Sequence, residues 1–310
     1  MTDKQKRIGV DVGGTNLRVA LVADLQVVDE YRCHADFSAI CRDHPPEIAW
    51  RQIIDVTSAA LRQMLQRHPD VASVGIGFPG FIDPVHGTVL QSPNLPGLRD
   101  VDLAGDLARA LERPVVVEND ANAAAYGEYK LHPQAVPSLV YLGLGTGVGG
   151  GLVIRHKLIM GSHGFAMEAG HLIVEAGGRL CGCGNRGCME QYASASGVSL
   201  SYAEKSGKRL NASEVAALAQ AGDDAARAAF ERAGDALAQA LAHILKVVDV
   251  ENIVIGGGMS KAWPLMQPAF QARLEMDLIP VLRGRVDIRL SDSGDHAGVI
   301  GAAALSAGVV

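Results

Sequence analysis

Residues 7–22, RIGVDVGGTNLRVALV, place two runs of alternating apolar residues on either side of a Gly-Gly-Thr turn. Alternation with period two turns one side of each run toward a core, and the glycines permit a tight reversal, so the stretch predicts a β-hairpin. Residues 139–154, LVYLGLGTGVGGGLVI, repeat the plan of strand, Gly/Thr turn and strand. Two such hairpins far apart in one chain predict a duplicated fold in which each half contributes one phosphate-facing loop.

Beyond the hairpins, the apolar spacing predicts helices over 46–67, 102–112 and 120–130, a strand over 71–79 ending in Gly-Phe-Pro-Gly, and a buried strand over 114–118. The alanine-rich stretch 213–248 reads as helix, 253–260 as a strand entering a triple-glycine turn, and 261–277 as a further helix. A small-residue helix over 295–307 is expected to pack back onto the first half. No Pro/Ser-rich linker interrupts the chain, so the expected division is a hinged cleft near residue 120. A small α/β domain would hold 1–119 plus 296–310, and a large one 120–295.

The 310 residues suffice for two domains of ordinary size, and a 48% hydrophobic, 20% charged composition with 36 glycines is that of a folded globular chain with many tight turns. A net charge of -6 with no run of Lys or Arg argues against nucleic acid and against an anionic membrane surface, and favours a small-molecule partner. The opening MTDKQKRIGVDVGG has no signal-like apolar stretch, and no segment approaches a membrane span, so the expected location is the cytoplasm.

Three glycine turns each follow an apolar strand: Gly13-Gly14-Thr15, Gly145-Thr146-Gly147 and Gly256-Gly257-Gly258. Without Cβ atoms their N–H groups can approach an anion, although any one alone is equally ordinary turn chemistry. Their spacing is neither a P-loop nor a dinucleotide fingerprint. Asp120, where a short strand passes into a helix, is a candidate general base for a hydroxyl attacking phosphorus; Asp120 or Asn119 capping the helix is the competing reading. Asp11, a charge in an apolar strand, either faces Mg²⁺ through water or is satisfied by the turn backbone. His171 with Cys181, Cys183 and Cys188 offers one imidazole and three thiolates, a closed tetrahedral shell suited to a structural Zn²⁺, with redox chemistry the weaker alternative. Glu168 and Glu190 bracket that loop.

With these motifs in hand, the sequence resembles the ROK group of bacterial sugar kinases and repressors over nearly its whole length. The resemblance rests on Asp11-Val-Gly-Gly-Thr15, Ser92-Pro-Asn-Leu-Pro-Gly97, Glu118-Asn-Asp-Ala-Asn122, Gly145-Thr-Gly-Val-Gly149, Glu168-Ala-Gly-His171 and Cys181-Gly-Cys-Gly-Asn-Arg-Gly-Cys-Met-Glu190. It implies an α/β, actin-like ATPase (ribonuclease H-like) fold with two domains around a central cleft. It further implies Asp120 as catalytic base and Asn119 as sugar ligand. Glu168, His171 and Glu190 would contact other hydroxyls, with Asn94 and Gly80 closing the other side. His171, Cys181, Cys183 and Cys188 would bind zinc, leaving the second ring nitrogen of His171 for the sugar. Thr15 and Thr146 would line the phosphates of ATP, and Gly256–Gly258 would lie against adenosine.

SPNLPG and VENDANAAAYGE look most like the glucokinases of the group, which implies Mg²⁺- and ATP-dependent phosphorylation of the glucose 6-hydroxyl and, commonly, a homodimer. Other hexoses are the alternative: N-acetylmannosamine, N-acetylglucosamine, mannose, fructose or allose. The sequence departs from the group's pattern at Met167, where Gly usually precedes the glutamate, and at Arg155-His156, which replaces a Gly-containing turn. A sugar-responsive repressor or a silent sensor is the reading from another class. The group's repressors carry an N-terminal helix-turn-helix domain, whereas six residues precede the first strand here.

Overall fold

The computed structural model describes residues 5–13, 15–93 and 95–309. The first half runs β1 (Arg7–Val12), β2 (Asn16–Ala23), β3 (Gln26–His34), α1 (Phe37–Asp43), α2 (Pro46–Arg67), β4 (Val74–Phe78), β5 (Phe81–Asp83), β6 (Thr88–Gln91), β7 (Arg99–Val101), α3 (Leu103–Leu111), β8 (Val115–Asn119) and α4 (Asp120–Leu131). It continues through β9 (Leu139–Leu144), β10 (Val148–Ile154), β11 (Lys157–Leu158), α5 (Glu190–Ala193), α6 (Ala195–Ser206), α7 (Ala212–Gln220), α8 (Asp224–Val248), β12 (Asn252–Gly256), α9 (Trp263–Asp277), β13 (Asp287–Leu290) and α10 (His296–Leu305). Both expected hairpins form, and α2 covers the expected residues.

The two five-stranded sheets share one plan, with orders β3-β2-β1-β4-β8 and β11-β10-β9-β12-β13. In the first, β2 is antiparallel to β1 and β3, whereas β1, β4 and β8 are mutually parallel. In the second, β9, β12 and β13 are parallel. The matching order is what a duplication of one unit produces.

The chain divides into two compact units, one of residues 1–137, 151–166 and 293–310, the other of 138–150 and 167–292. In the first unit each sheet face has its own covering. Ile8, Val10, Val12, Val74, Ile76 and Phe78 enter a core with Phe37, Ile53, Leu61, Met64 and Leu107 from α1, α2 and α3. The alternate residues of β1 and β4 face α10 and α4, and there the sequence supplies Gly9, Asp11, Gly75 and Gly77. A Cβ on Gly9 would land on the carbonyl oxygen of Val299, and one on Gly75 on that of Ala302. Gly127 and Gly301 allow the same closeness between α4 and α10, each approaching a backbone carbonyl of the other helix. α10 is therefore laid backbone against backbone on the sheet and on α4.

The second unit is dominated by α8, whose apolar stripe includes Phe230, Leu237, Leu241 and Leu245. Here the helical stretch expected over 213–248 is divided into two helices. Gly222, with φ of +101°, ends α7, and Asp223 caps α8 by accepting from the Ala226 N–H at 2.8 Å. Helix propensity summed over alanines does not register this stop and restart, although Gly followed by Asp is its sequence signature. Likewise α9 starts at Trp263, because Gly258–Ala262 form a 3-10 turn. None of the described helices is long and apolar enough to cross a membrane.

Gly75→Ala is expected to cost about 3 kcal/mol or to prevent folding, since the new methyl must displace backbone rather than a side chain. Soluble yield and the denaturant midpoint measure it; a variant as stable as the parent would show that α10 has room to move.

Candidate active site

In the first unit the candidate residues collect at the carboxyl ends of three neighbouring parallel strands, the edge where open α/β sheets receive ligands. Asp11 lies opposite Gly77, Gly77 opposite Glu118, and Phe78 opposite Asn119. Asp11, Gly80 and Asn119-Asp120 thus share one edge. Gly77 holds α4 close: a Cβ there would be 3.5 Å from the Asp120 Cα.

Asn119 caps α4, its Oδ1 accepting from the N–H groups of Ala121 at 2.9 Å and Asn122 at 3.0 Å. Its Nδ2 donates to the carbonyl of Gly80 at 3.0 Å. Asp120 is the first residue of α4, and its Oδ1 accepts from the Ala121 N–H at 2.9 Å. Capping falls to Asn119, which leaves Asp120 compatible with a chemical role. Two residues to which sequence reasoning gave no role brace it. Glu118 is buried, and its Oε1 accepts from the Asn119 N–H at 2.8 Å and from Asn122 Nδ2 at 3.0 Å. Burial pushes its carboxyl above the usual range, against the pull of those donors. The available signal was a polar i,i+4 pair flanking the carboxylate of interest.

Asp11 is packed beside α10, 3.4 Å from where a Cβ on Gly298 would stand. Burial raises its pKa, and Arg18, directly across the β1–β2 ladder, opposes the rise. Arg18 is itself buried; it donates to Glu30 Oε2 at 2.8 Å and to the carbonyl of Asp295 at the start of α10. The Arg18 hydrogen bond leads the effects that pull Glu30 down to about 2. Gly13 donates its N–H to the Asn16 carbonyl within its own turn, at 2.8 Å, and Thr15 Oγ1 accepts from Asn16 Nδ2 at 3.1 Å, which leaves the Thr15 hydroxyl hydrogen able to donate. Gly14 and Asn94 lie outside the described residues.

The second unit repeats the arrangement. Gly256 pairs with Gly143, so the Gly145–Gly147 and Gly256–Gly258 turns sit side by side at the carboxyl ends of β9 and β12. Gly256 owes its missing Cβ to the Tyr141 ring, which would lie 2.8 Å from it, and Gly257 (φ +80°) abuts the Leu144 carbonyl; a Cβ on Gly258 would meet open space. The Gly145 N–H closes its own turn on the Gly147 carbonyl at 2.9 Å. The carbonyl of Thr146 accepts from Ser196 Oγ at 3.0 Å, and that of Gly145 from the Ala195 N–H at 2.9 Å, which seats the loop on α6. Glu190 Oε2 accepts from the Val148 N–H at 3.0 Å, tying this loop to the cysteine segment.

His171, Cys181, Cys183 and Cys188 bring their ligand atoms within 4.8 Å of one another. Cys181 Sγ is 3.7 Å from His171 Nδ1, and Cys183 Sγ is 3.6 Å from Cys188 Sγ. A tetrahedral zinc ion spaces S and N ligands about 3.5–3.8 Å apart, so the donor set fits it. Burial pushes the Cys188 thiol up to about 12, with Cys183 and Cys181 adding to the rise. Thiols this close ionise together only around a cation. The second imidazole nitrogen, Nε2, faces Glu168 Oε2 at 3.7 Å. Burial raises the Glu168 pKa; His171 opposes the rise and Glu190 adds to it.

The two departures noted in the sequence both adopt left-handed backbone. Arg155 (φ +49°) and His156 (φ +68°) form the two-residue turn between β10 and β11. Met167 has φ of +64°, a conformation costing a side-chain-bearing residue about 1–2 kcal/mol.

The model of the ROK family matches residues 7–308. The chain belongs to the ROK family. It is 32% identical over 317 residues to a glucokinase of Thermotoga maritima, covering 97% of each chain. It is 35% identical over 308 residues to an N-acetyl-D-glucosamine kinase of Shigella boydii, covering 96% of this chain and 98% of that one. A crystal structure of a ROK glucokinase from Streptomyces griseus, in complex with glucose and AMPPNP, superposes with a TM-score of 0.81 at 31% identity, covering 97% and 99%. The fold of this ROK protein is accordingly the actin-like ATPase fold, with two α/β domains, as the resemblance implied.

Glu30 has its pKa lowered from 4.5 to about 2, so its contribution to stability is complete above pH 4.5 and lost as pH falls toward 2. Glu30→Gln should therefore be less stable than the parent at pH 7, with the difference shrinking across that window. Equal stability at pH 7 would show that the Arg18 pair contributes nothing. Elemental analysis should find about one divalent metal per chain, and chelation should lower the melting temperature, because ion binding to such a set is folding free energy. Unchanged melting after the metal is stripped would show the cluster needs none.

Proposed function

We propose that this ROK protein is an ATP-dependent hexose kinase that phosphorylates the 6-hydroxyl of glucose. The observation that carries the reading is Asn119-Asp120: an amide and a carboxylate fixed side by side at the carboxyl edge of a parallel sheet, held by Glu118, Asn122 and Gly80. The glucokinase relatives and the nucleotide analogue in the Streptomyces griseus structure support it.

In this reading Asp120 accepts the proton of the sugar hydroxyl as its oxygen attacks the γ-phosphorus of ATP. The new O–P bond forms as the bond to the β,γ-bridging oxygen breaks, and ADP leaves with that electron pair. Asn119 and Gly80, with Asn94, bind and orient the sugar; Glu168, His171 and Glu190 offer acceptors and an imidazole to its other hydroxyls. Thr15 and Thr146 take phosphate oxygens, and the open side of Gly258 takes adenosine. Asp11 is the carboxylate suited to hold hydrated Mg²⁺, which when bound neutralises phosphate charge. His171, through Nδ1, and the three thiolates would hold a zinc ion, which with all four ligands from the protein would serve structure.

A second reading, phosphorylation of N-acetylglucosamine, is favoured by the relative of that name at 35% identity. ADP release is measured with glucose, mannose, fructose, allose, N-acetylglucosamine and N-acetylmannosamine. Release with none of them overturns the kinase reading, and the highest kcat/KM decides between sugars. Asp120→Asn should lower kcat by about 100-fold or more while sugar still binds, the usual scale for loss of a positioned base. Wild-type turnover in that variant would remove Asp120 from the role.

A further inference from the structure

Among the described residues, most side-chain-bearing ones with positive φ have an ordinary reason for it. Asp24-Leu25 and Arg155-His156 turn hairpins, while Glu112 and Asp249 end helices. Met167 does neither. It immediately precedes Glu168, and its backbone is what launches the 3-10 turn Ala169–His171: the Met167 carbonyl accepts from the Ala169 N–H at 2.6 Å, and the Glu168 carbonyl from the His171 N–H at 3.0 Å. That turn puts Glu168 and His171 one above the other, three residues apart, with Oε2 and Nε2 at 3.7 Å.

Local strain persists only where the surroundings over-determine it. Here the surroundings include Gly150 on β10. A Cβ at Gly150 would stand 2.6 Å from the Met167 carbonyl oxygen and 3.5 Å from its Cε, so both backbone and thioether of Met167 bear on the bare face of that glycine. The terminal methyl therefore packs on β10, which turns the side chain into an anchor for its own strained backbone. A glycine at 167 would adopt the same φ freely and many others besides.

We propose that Met167 is a positioning residue that aims Glu168, and that through Glu168 it sets how tightly and how selectively this protein holds its sugar. The inference rests on the reading of Glu168 as a ligand of sugar hydroxyls. A carboxylate held in one place rewards the hydroxyl pattern that matches it, whereas a loosened one accepts several patterns less well. Because the contact is made in the ground state and persists through transfer, its loss appears in KM rather than in kcat.

The test compares Met167→Gly, Met167→Gln and Gly150→Ala with the parent, using glucose and N-acetylglucosamine, by turnover and by calorimetric sugar binding. In Met167→Gly, KM for the preferred sugar should rise about 5-fold or more and the ratio of kcat/KM between the two sugars should move about 3-fold or more, with kcat and KM for ATP within about 2-fold. Met167→Gln keeps the Cβ and unbranched stem but loses the terminal methyl on β10, and should fall between the parent and Met167→Gly. Gly150→Ala displaces Met167 from the other side and should weaken sugar binding as Met167→Gly does. Metal content and melting temperature of each variant show that the fold is intact. Unchanged sugar affinity and ratio in a well-folded Met167→Gly overturns the proposal while leaving the kinase reading in place. A parent that binds sugar without turning it over still decides the role of Met167 by calorimetry. A parent that binds no hexose overturns both.

Discussion

Helix α10 lies against β1, β4 and α4 at a distance that side chains do not permit, and the first unit is arranged around that contact. Gly9 and Gly75 open the sheet face, Gly127 and Gly301 open the helix pair, and the carbonyls of Val299, Ala302, Ala297 and Ala123 occupy the space where Cβ atoms would be. Close packing of this kind is stiff, because nothing flexible lies between the backbones. Its stiffness is inherited by the residues beside it. Asp11 follows Gly9 on the same face of β1, and Gly77 follows Gly75 on β4, bringing the first residue of α4 onto the strand. The candidate base and the candidate phosphate-side carboxylate are thus placed by one slab of backbone.

Two carboxyls lie on that face, Glu118 buried and Asp11 half-buried, and the protein treats them differently. Glu118 receives neutral donors, an N–H and an amide, so it braces the strand-to-helix junction without needing a counter-charge. Asp11 receives the field of Arg18, which is in turn shared with Glu30 and tethered to the backbone at the start of α10. A carboxylate compensated through space rather than by a bidentate pair keeps more of its coordination capacity for a ligand. The same guanidinium links the charge on β1 to the helix that the glycines admit, so electrostatics and packing constrain the same few residues.

Much of the frame was legible in the sequence, for reasons visible in its elements. The glycine hairpins at 7–22 and 139–154 declare themselves through alternation, and α2 through an amphipathic run opened by Pro46. Elements without such a pattern were not anticipated: the half-exposed, charged β3, and the short strands β5, β6 and β7, whose identity comes from pairing with each other. In the site, neighbours in sequence were legible and distant partners were not. Glu118–Asp120 and Cys181–Glu190 can be grouped from spacing, but nothing at Arg18 announces Asp295, and nothing at Gly150 announces Met167. The glycine face itself was written in the chain, as IGVDV and VGIGF, where every second residue is apolar and those between are small apart from one Asp. Reading it requires knowing that a helix from the far end of the chain will lie there.

The amide of Asn119 has a limited inventory. Its oxygen accepts two backbone N–H groups and has no lone pair left, while its nitrogen carries two hydrogens and has given one to Gly80. A sugar hydroxyl that meets this side chain therefore meets a donor alone. It must turn a lone pair toward Asn119, which leaves its own hydrogen to point elsewhere, and the neighbouring acceptor is the carboxylate of Asp120. In the proposed reading the helix cap works as a polarity filter: with one end of the amide exhausted, a hydroxyl bound there can present its proton only the other way.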